Sequence, residues 1–163
     1  MLLRDIDHQI GLTHCLAHAF DNQRRLSCTD HPLRDLLAQR IYLIACGYED
    51  DNDANALRKD AIFKLGVDRK PLDSDSDLAS IPTFSCLDNA ATTRDVYRMA
   101  KAFIDQFIAS YPKPPAVIVL DMDHSEDTAH GQQELAFYNH HYRHHCYLPL
   151  FIFEGLSGKS GRR

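Results

Sequence analysis

The sequence predicts a mixed α/β fold (α+β) with helices first and strands last. Three observations carry this. Leu33, Leu36, Leu37, Ile41 and Ile44 fall at i, i+3, i+4, i+8 and i+11, one stripe of a helix. Val96, Met99, Ala100, Phe103, Ile104, Phe107 and Ile108 repeat helical spacing over a longer stretch. Beyond Pro114-Pro115 the pattern changes to short apolar runs, AVIVL at 116–120 and YLPLFIF at 147–153, which read as strands.

A chain of 163 residues suits one domain or two small units and can bury a real core. With 44% hydrophobic and 25% charged residues it reads as soluble and globular. A net charge of −5, histidines neutral, argues against a strong free-standing nucleic-acid binder but leaves room for a local basic patch. Cys15, Cys28, Cys46, Cys86 and Cys146 are odd in number, widely spaced and without a Cys-x-x-Cys pair. That argues against a disulfide scaffold or a zinc ribbon and fits a reducing cytoplasm. No apolar run approaches the ~18 residues of a membrane span, and MLLRDIDHQIG lacks the apolar core of a secretory signal.

Taken in order, Ile6, Ile10, Leu12, Leu16, Ala17 and Phe20 predict a helix over 5–19. Residues 21–29 are polar and read as a loop. Pro32 suits the first turn of a helix over 33–46, and Gly47 suits its end. The acidic stretch 48–60 reads as a loop followed by a short helix around 53–59. Residues 61–65 read as a helical turn. Residues 68–77, with Asp68, Asp73, Asp75 and Asp77, read as a solvated loop; the EF-hand spacing and its glutamate are missing. Pro82 opens a short helix through 83–89. Thr92 caps the helix over 93–110, with Asp95 in the capping-box position usually held by Glu. The stripe on that helix is a packing face first and a partner-binding face second. Tyr111-Pro112 ends it. The domain organisation is therefore a helical region over 1–112, a strand-containing region over 113–158 and a tail over 159–163.

The chemistry is expected at the end of the first apolar run. Residues 116–120 read as a strand buried on both faces, and a strand over 116–123 carries Asp121 and Asp123 on one face. Two carboxylates held together at a buried strand are costly, and a divalent cation is one way to relieve that cost. The return strand is predicted over 147–154. Between them, His140-His141 and His144-His145 repeat at i, i+4, with His130 nearby. On a helix either pair could present two imidazoles to a metal, but no glutamate stands as in His-Glu-x-x-His. The plain alternative is a polar connection. Tyr138, Tyr142 and Tyr147 are core edges or stacking groups for nucleic acid. Arg24, Arg25, Arg40, Arg58, Lys59, Lys64, Arg69 and Lys70 are the available phosphate contacts in the helical part, with solvated surface as the plainer role for most.

Four stretches, in order, carry a family resemblance: LLAQRIYLIACGYEDDNDANALRKDAIFKL, LASIPTFSCLDN, FIASYPKPPAVIVLDMD and HGQQELAFYNHHYRHHCYLPLFIFEG. Together they resemble the N-terminal part of a bacterial insertion-sequence transposase of the DDE-domain group 1 family, over nearly the whole chain to about residue 158. The resemblance implies a helical region followed by the first strands of an incomplete RNase H-like fold. It implies that this first core strand bears the first carboxylate of an Asp–Asp–Glu triad. Asp123-His124-Ser125 resembles the Asp-x-Thr/Ser end of that strand, so Asp123 is the first choice for the catalytic, metal-holding carboxylate and Asp121 the alternative. The second Asp and the Glu have no counterpart, since the chain runs LSGKSGRR after Gly155. The expectation is a C-terminally truncated member, inactive alone. Mg²⁺ or Mn²⁺, DNA at transposon ends and a homo-oligomer are the cofactor and partners implied, because this chemistry uses two divalent ions about 4 Å apart. Two departures are visible. Ser80-Ile81-Pro82-Thr83 stands where the family shows Ser-Gln-Pro-Thr, and Cys86 where it tends to have a basic residue. The other readings are a non-enzymatic regulatory remnant that binds DNA or an intact transposase, and a histidine-rich metal-binding protein.

Overall fold

The computed structural model describes residues 1–25, 27, 29–48, 50–156 and 160–162. Cys28, Glu49 of the acidic stretch, and residues 157–159 and 163 at the end of the resemblance and in the tail lie outside the described residues. The fold is mixed α/β with a helical N-terminal region, as the spacing predicts. It forms two units, Met1–Ala102 and Phe103–Arg163.

In the first unit, one helix over 5–19 is replaced by two, α1 (Leu2–Ile10) and α2 (Leu12–Ala19). Gly11 separates them at φ 68°, a conformation that a residue without Cβ adopts at little cost. The buried Asp7 carboxylate reaches across the break. It accepts the Thr13 backbone N–H at 2.9 Å, the Thr13 hydroxyl at 2.6 Å and the Tyr42 hydroxyl at 3.1 Å. The Arg34 guanidinium lies 3.8 Å away. A buried charge is tolerable when it is this fully bonded. Burial and the neighbouring Asp7 push the Tyr42 phenol well above its ordinary range.

α3 (Leu33–Ala45) is the central helix and ends at Gly47 (φ 89°). There the Tyr48 N–H reaches the Leu43 carbonyl (2.9 Å) and the Gly47 N–H the Ile44 carbonyl (3.0 Å), a Schellman closure. Its buried face holds Leu33, Leu36, Ala38, Gln39, Tyr42 and Leu43, while Ile44 from the predicted stripe is half exposed. Gln39 is buried by pairing like a strand. Its amide donates to the Ala79 carbonyl and accepts the Ala79 N–H, both at 3.0 Å. α4 (Asp51–Leu57) and α5 (Ala61–Gly66) start on Asp50 and Asp60 side-chain caps. The acidic loop is less solvated than its composition predicts. Asp77 pairs with the buried Lys64 ammonium at 3.0 Å, and Asp68 with Arg4 and Arg34. α6 (Ile81–Ala90) adds Phe84 and Leu87 to the core, which also takes Phe20, Phe63, Val67 and Leu78.

α7 (Thr93–Ala109) opens on the predicted capping box. Asp95 accepts from the Thr92 N–H and hydroxyl, and the Asp95 N–H donates to the Thr92 hydroxyl oxygen. Asp95 also accepts the Asp21 N–H at 3.0 Å, tying down the loop before α3. Met99 packs against the core, whereas Val96 and Ile108 at the ends of the stripe are exposed.

In the second unit β1 (Leu120–His124) is shorter than the predicted 116–123. β2 (Asp127–Thr128), β3 (Phe137–Asn139), β4 (His144–Tyr147), β5 (Leu150–Glu154) and β6 (Ser160–Arg162) complete it. The order is β1-β5-β6 in one antiparallel sheet and β2-β4-β3 in the other. The predicted return strand over 147–154 is two strands split at Leu148-Pro149. Pro149 has no N–H to give a ladder, and its carbonyl accepts the Ser125 N–H instead (3.2 Å). The reading of 116–120 as buried on both faces is overturned. Val117, Ile118, Val119 and Leu120 are 46–63% exposed. Full burial needs neighbours on both edges and cover on both faces, and among the described residues β1 lies at a sheet edge with β5 alone beside it. β5 is the central strand.

Candidate functional site

Asp121 and Asp123 alternate with Leu120, Met122 and His124 along β1, so the pair shares one face. The register sets Asp121 opposite Phe153 and Asp123 opposite Phe151. Directly opposed residues share a face, so two phenyl rings flank the carboxylates. Those rings stack with centroids 6.4 Å apart and planes 19° apart. Every residue of β1 is exposed. Asp123 Oδ1 accepts the His124 backbone N–H at 2.9 Å. Exposure removes the cost expected of a buried acidic pair, because water and salt screen the two charges. No cation is needed to hold them together.

Glu154 does not join them. It sits opposite Leu120, on the other face and buried, with its Oε1 accepting the Leu156 N–H at 3.1 Å. Among the described residues no group of three His, Cys, Asp or Glu side chains is placed to hold a metal ion. Mg²⁺ takes near-octahedral oxygen ligation. Two carboxylates from one strand beside two phenyl rings do not fit a two-ion centre.

The histidine segment is not helical, so the i, i+4 reading of His140/His144 and His141/His145 fails. β3 and β4 form a hairpin whose turn contains His140 and His141. Asn139 Oδ1 accepts the His141 and Tyr142 N–H groups at 2.8 and 3.2 Å, and Arg143 takes φ 63°. These local bonds compete successfully with a helix. His144 and His145 then point to opposite faces of β4. His144 Nε2 contacts Glu126 Oε1, which also accepts the Thr128 hydroxyl. The His145 ring meets Tyr138 edge to face at 5.5 Å. The Tyr147 hydroxyl donates to the Glu134 carbonyl at 2.6 Å, and Tyr138 remains exposed. Cys146 is buried, and burial, then Glu126 and Asp127, push its thiol up, which keeps it protonated and unreactive.

The basic residues divide. Lys64 is buried on Asp77. Arg58 pairs with Asp77 at 3.6 Å. Arg69 pairs with Asp35 at 3.8 Å and donates to the Asp77 and Asp30 carbonyls. Arg25, Lys59 and Lys70 are exposed. Arg24 donates to Asn22 Oδ1 and the His31 carbonyl, while among the described residues its buried Nη2 has no hydrogen-bond partner. Arg24, Arg25, Thr29, His31, Thr83 and Cys86 line a cleft of about 470 Å³. Burial, then Arg69, depress the His31 imidazole, so it adds no cation there near neutral pH. Sequence reading missed three features: the Asp7 hub, the Gln39–Ala79 pair and the Glu126–His144 contact. Each joins residues that no local period relates.

A family model described as Transposase DDE domain group 1 matches residues 1–160. No curated protein and no solved structure matches the chain. No described helix is long and apolar enough to cross a membrane.

Proposed function

The chain belongs to the transposase DDE domain group 1 family, and on that premise we propose that β1 supplies the first carboxylate of an Asp–Asp–Glu catalytic set. The family activity in this reading is metal-dependent DNA strand cleavage and transfer in transposition. Asp123 is the first choice for the catalytic, metal-holding carboxylate, and Asp121, on the same face, is the alternative. One observation carries the reading: two exposed carboxylates stand side by side on β1, within the stretch that the family model matches. The antiparallel sheet built on that strand suits the opening of an RNase H-like domain. DNA is the partner, approached through Arg25, Lys59 and Lys70 and the cleft at Arg24. The compartment is the cytoplasm.

These residues supply ligands from one side only, so the chain alone neither nicks nor joins DNA. Divalent ions, when held by a full ligand set, activate the nucleophile and stabilise the leaving oxygen. The carboxylates here would orient and share such an ion without completing its shell. A second reading is a regulatory protein that associates with DNA or an intact transposase. It draws on the exposed apolar stretch at 117–120 beside an open strand edge. The test is a cleavage and strand-transfer assay on DNA carrying the parent transposon ends, with Mg²⁺ or Mn²⁺, for the chain and for Asp123→Ala. No product from either is expected. Metal-dependent cutting that Asp123→Ala abolishes would overturn the inactivity and point to ligands borrowed from another chain.

A further inference from the structure

α2 carries a pair of titratable side chains that neither the acidic strand nor the histidine hairpin involves. His14 and His18 stand one turn apart and both are exposed. Their Nε2 atoms lie 3.2 Å apart and their ring centroids 4.4 Å apart. We propose that His14 and His18 form a binding site for a borderline divalent transition cation of the Zn²⁺ class.

Distance is the first argument. Zn–N bonds of about 2.0–2.1 Å in tetrahedral geometry set two ligand nitrogens on the order of 3.3 Å apart. The two rings already hold that span, so binding needs little reorganisation. The alternative use of the same geometry is a single N–H···N bond between the rings. A cation replaces it without moving the helix, by taking the Nε2 lone pairs of two neutral imidazoles while their protons reside on Nδ1. Position is the second argument. His18 lies in the last turn of α2, where the helix dipole favours positive charge. Accessibility is the third. The exposed rings leave water to fill the remaining positions, and among the described residues no third His, Cys, Asp or Glu side chain is placed to complete the set. Imidazole ligands select Zn²⁺, Cu²⁺ or Ni²⁺ over Mg²⁺, so this site is chemically separate from Asp121 and Asp123.

The consequence is structural. α2 has eight residues, a length that is marginal without tertiary support. A cation bridging His14 and His18 clamps the turn that leads into the buried Phe20. Binding to the folded state then raises stability by mass action.

The experiment uses the full chain, stripped of metal by a chelator, in calorimetric titration and thermal melting with ZnCl₂ and, separately, MgCl₂. A saturable one-to-one Zn²⁺ complex with a raised Tm is expected. His14→Gln and His18→Gln should each weaken it by at least about tenfold, and His144→Gln should leave it unchanged. MgCl₂ should produce no such complex. Electron paramagnetic resonance of the Cu²⁺ complex gives a readout that needs no variant, and two equatorial nitrogens are expected. Absence of a saturable Zn²⁺ complex, binding that survives the double α2 replacement, loss of binding in His144→Gln, or a Cu²⁺ spectrum without two nitrogens would each overturn the site.

Discussion

The helical unit and the strand unit treat apolar surface in opposite ways. Among the described residues, every buried apolar side chain except Cys146 lies in the helical unit. Several of its buried polar groups are bonded as well: Asp7 to Thr13 and Tyr42, Gln39 to Ala79, and Lys64 to the Asp73 carbonyl. In the strand unit, residues of strong β-propensity such as Val117, Ile118, Leu120 and Phe153 remain 40–63% exposed. Apolar patterning is necessary for a core but not sufficient, because burial requires a second surface to meet the first. Stability is therefore seated in the helical unit, while the carboxylates of the family reading stand on an open strand.

The comparison is broken most directly by matched aromatic truncations. Phe84→Ala removes a ring 2% exposed and should cost about 3–5 kcal/mol. Phe153→Ala removes one 40% exposed and should cost within about 1 kcal/mol. Urea unfolding of both variants measures this, and equal costs would place a core in the strand unit too. Next in size is Asp7→Ala, which strands the Thr13 and Tyr42 donors and the Arg34 charge. A loss of about 3 kcal/mol is expected from a buried charge network broken on one side. A loss no larger than that of a surface change would mean that the α1–α2 junction does not depend on it.

The smallest effect sharpens the picture at α7. Thr92→Ala removes an N-cap and should cost about 1 kcal/mol. The Thr92 hydroxyl bond, then the Asp21 and Thr92 N–H groups, hold the Asp95 carboxyl below its ordinary 3.8. A carboxyl depressed in the folded state stabilises above its unfolded value, and that contribution is lost as pH falls through the folded one. Stability should thus fall with acidification below about pH 4, and less steeply in Thr92→Ala. Unfolding followed across that range checks the slope, and identical slopes would remove Asp95 from the account.

Part of this was legible along the chain. The turns at Gly47, the capping box at Thr92 and the Pro82 helix start depend on neighbours within four residues, and all three stand as read. The shared face of Asp121 and Asp123 follows from the two-residue period of a strand. The spacing of His14 and His18 was equally visible, but the 3.2 Å approach of their nitrogens depends on side-chain torsions that spacing leaves open. The i, i+4 spacing of His140/His144 and His141/His145 brings imidazoles together only on a helix, and Asn139 holds that backbone in a hairpin turn instead, in keeping with the plainer reading of a polar connection.

By itself, then, the sequence determined the order of helices and strands, their caps and breaks, and the family to which the chain belongs. Those are set by local propensity and by motif order. Tertiary structure alone decided that Asp7 reaches past Gly11 to Thr13 and Tyr42, that β1 is an exposed edge, and that β5 lies between β1 and β6. The physical reason is that a local pattern states which face of an element is apolar, whereas the free energy of burying it depends on which other surface, distant in the chain, comes to cover it.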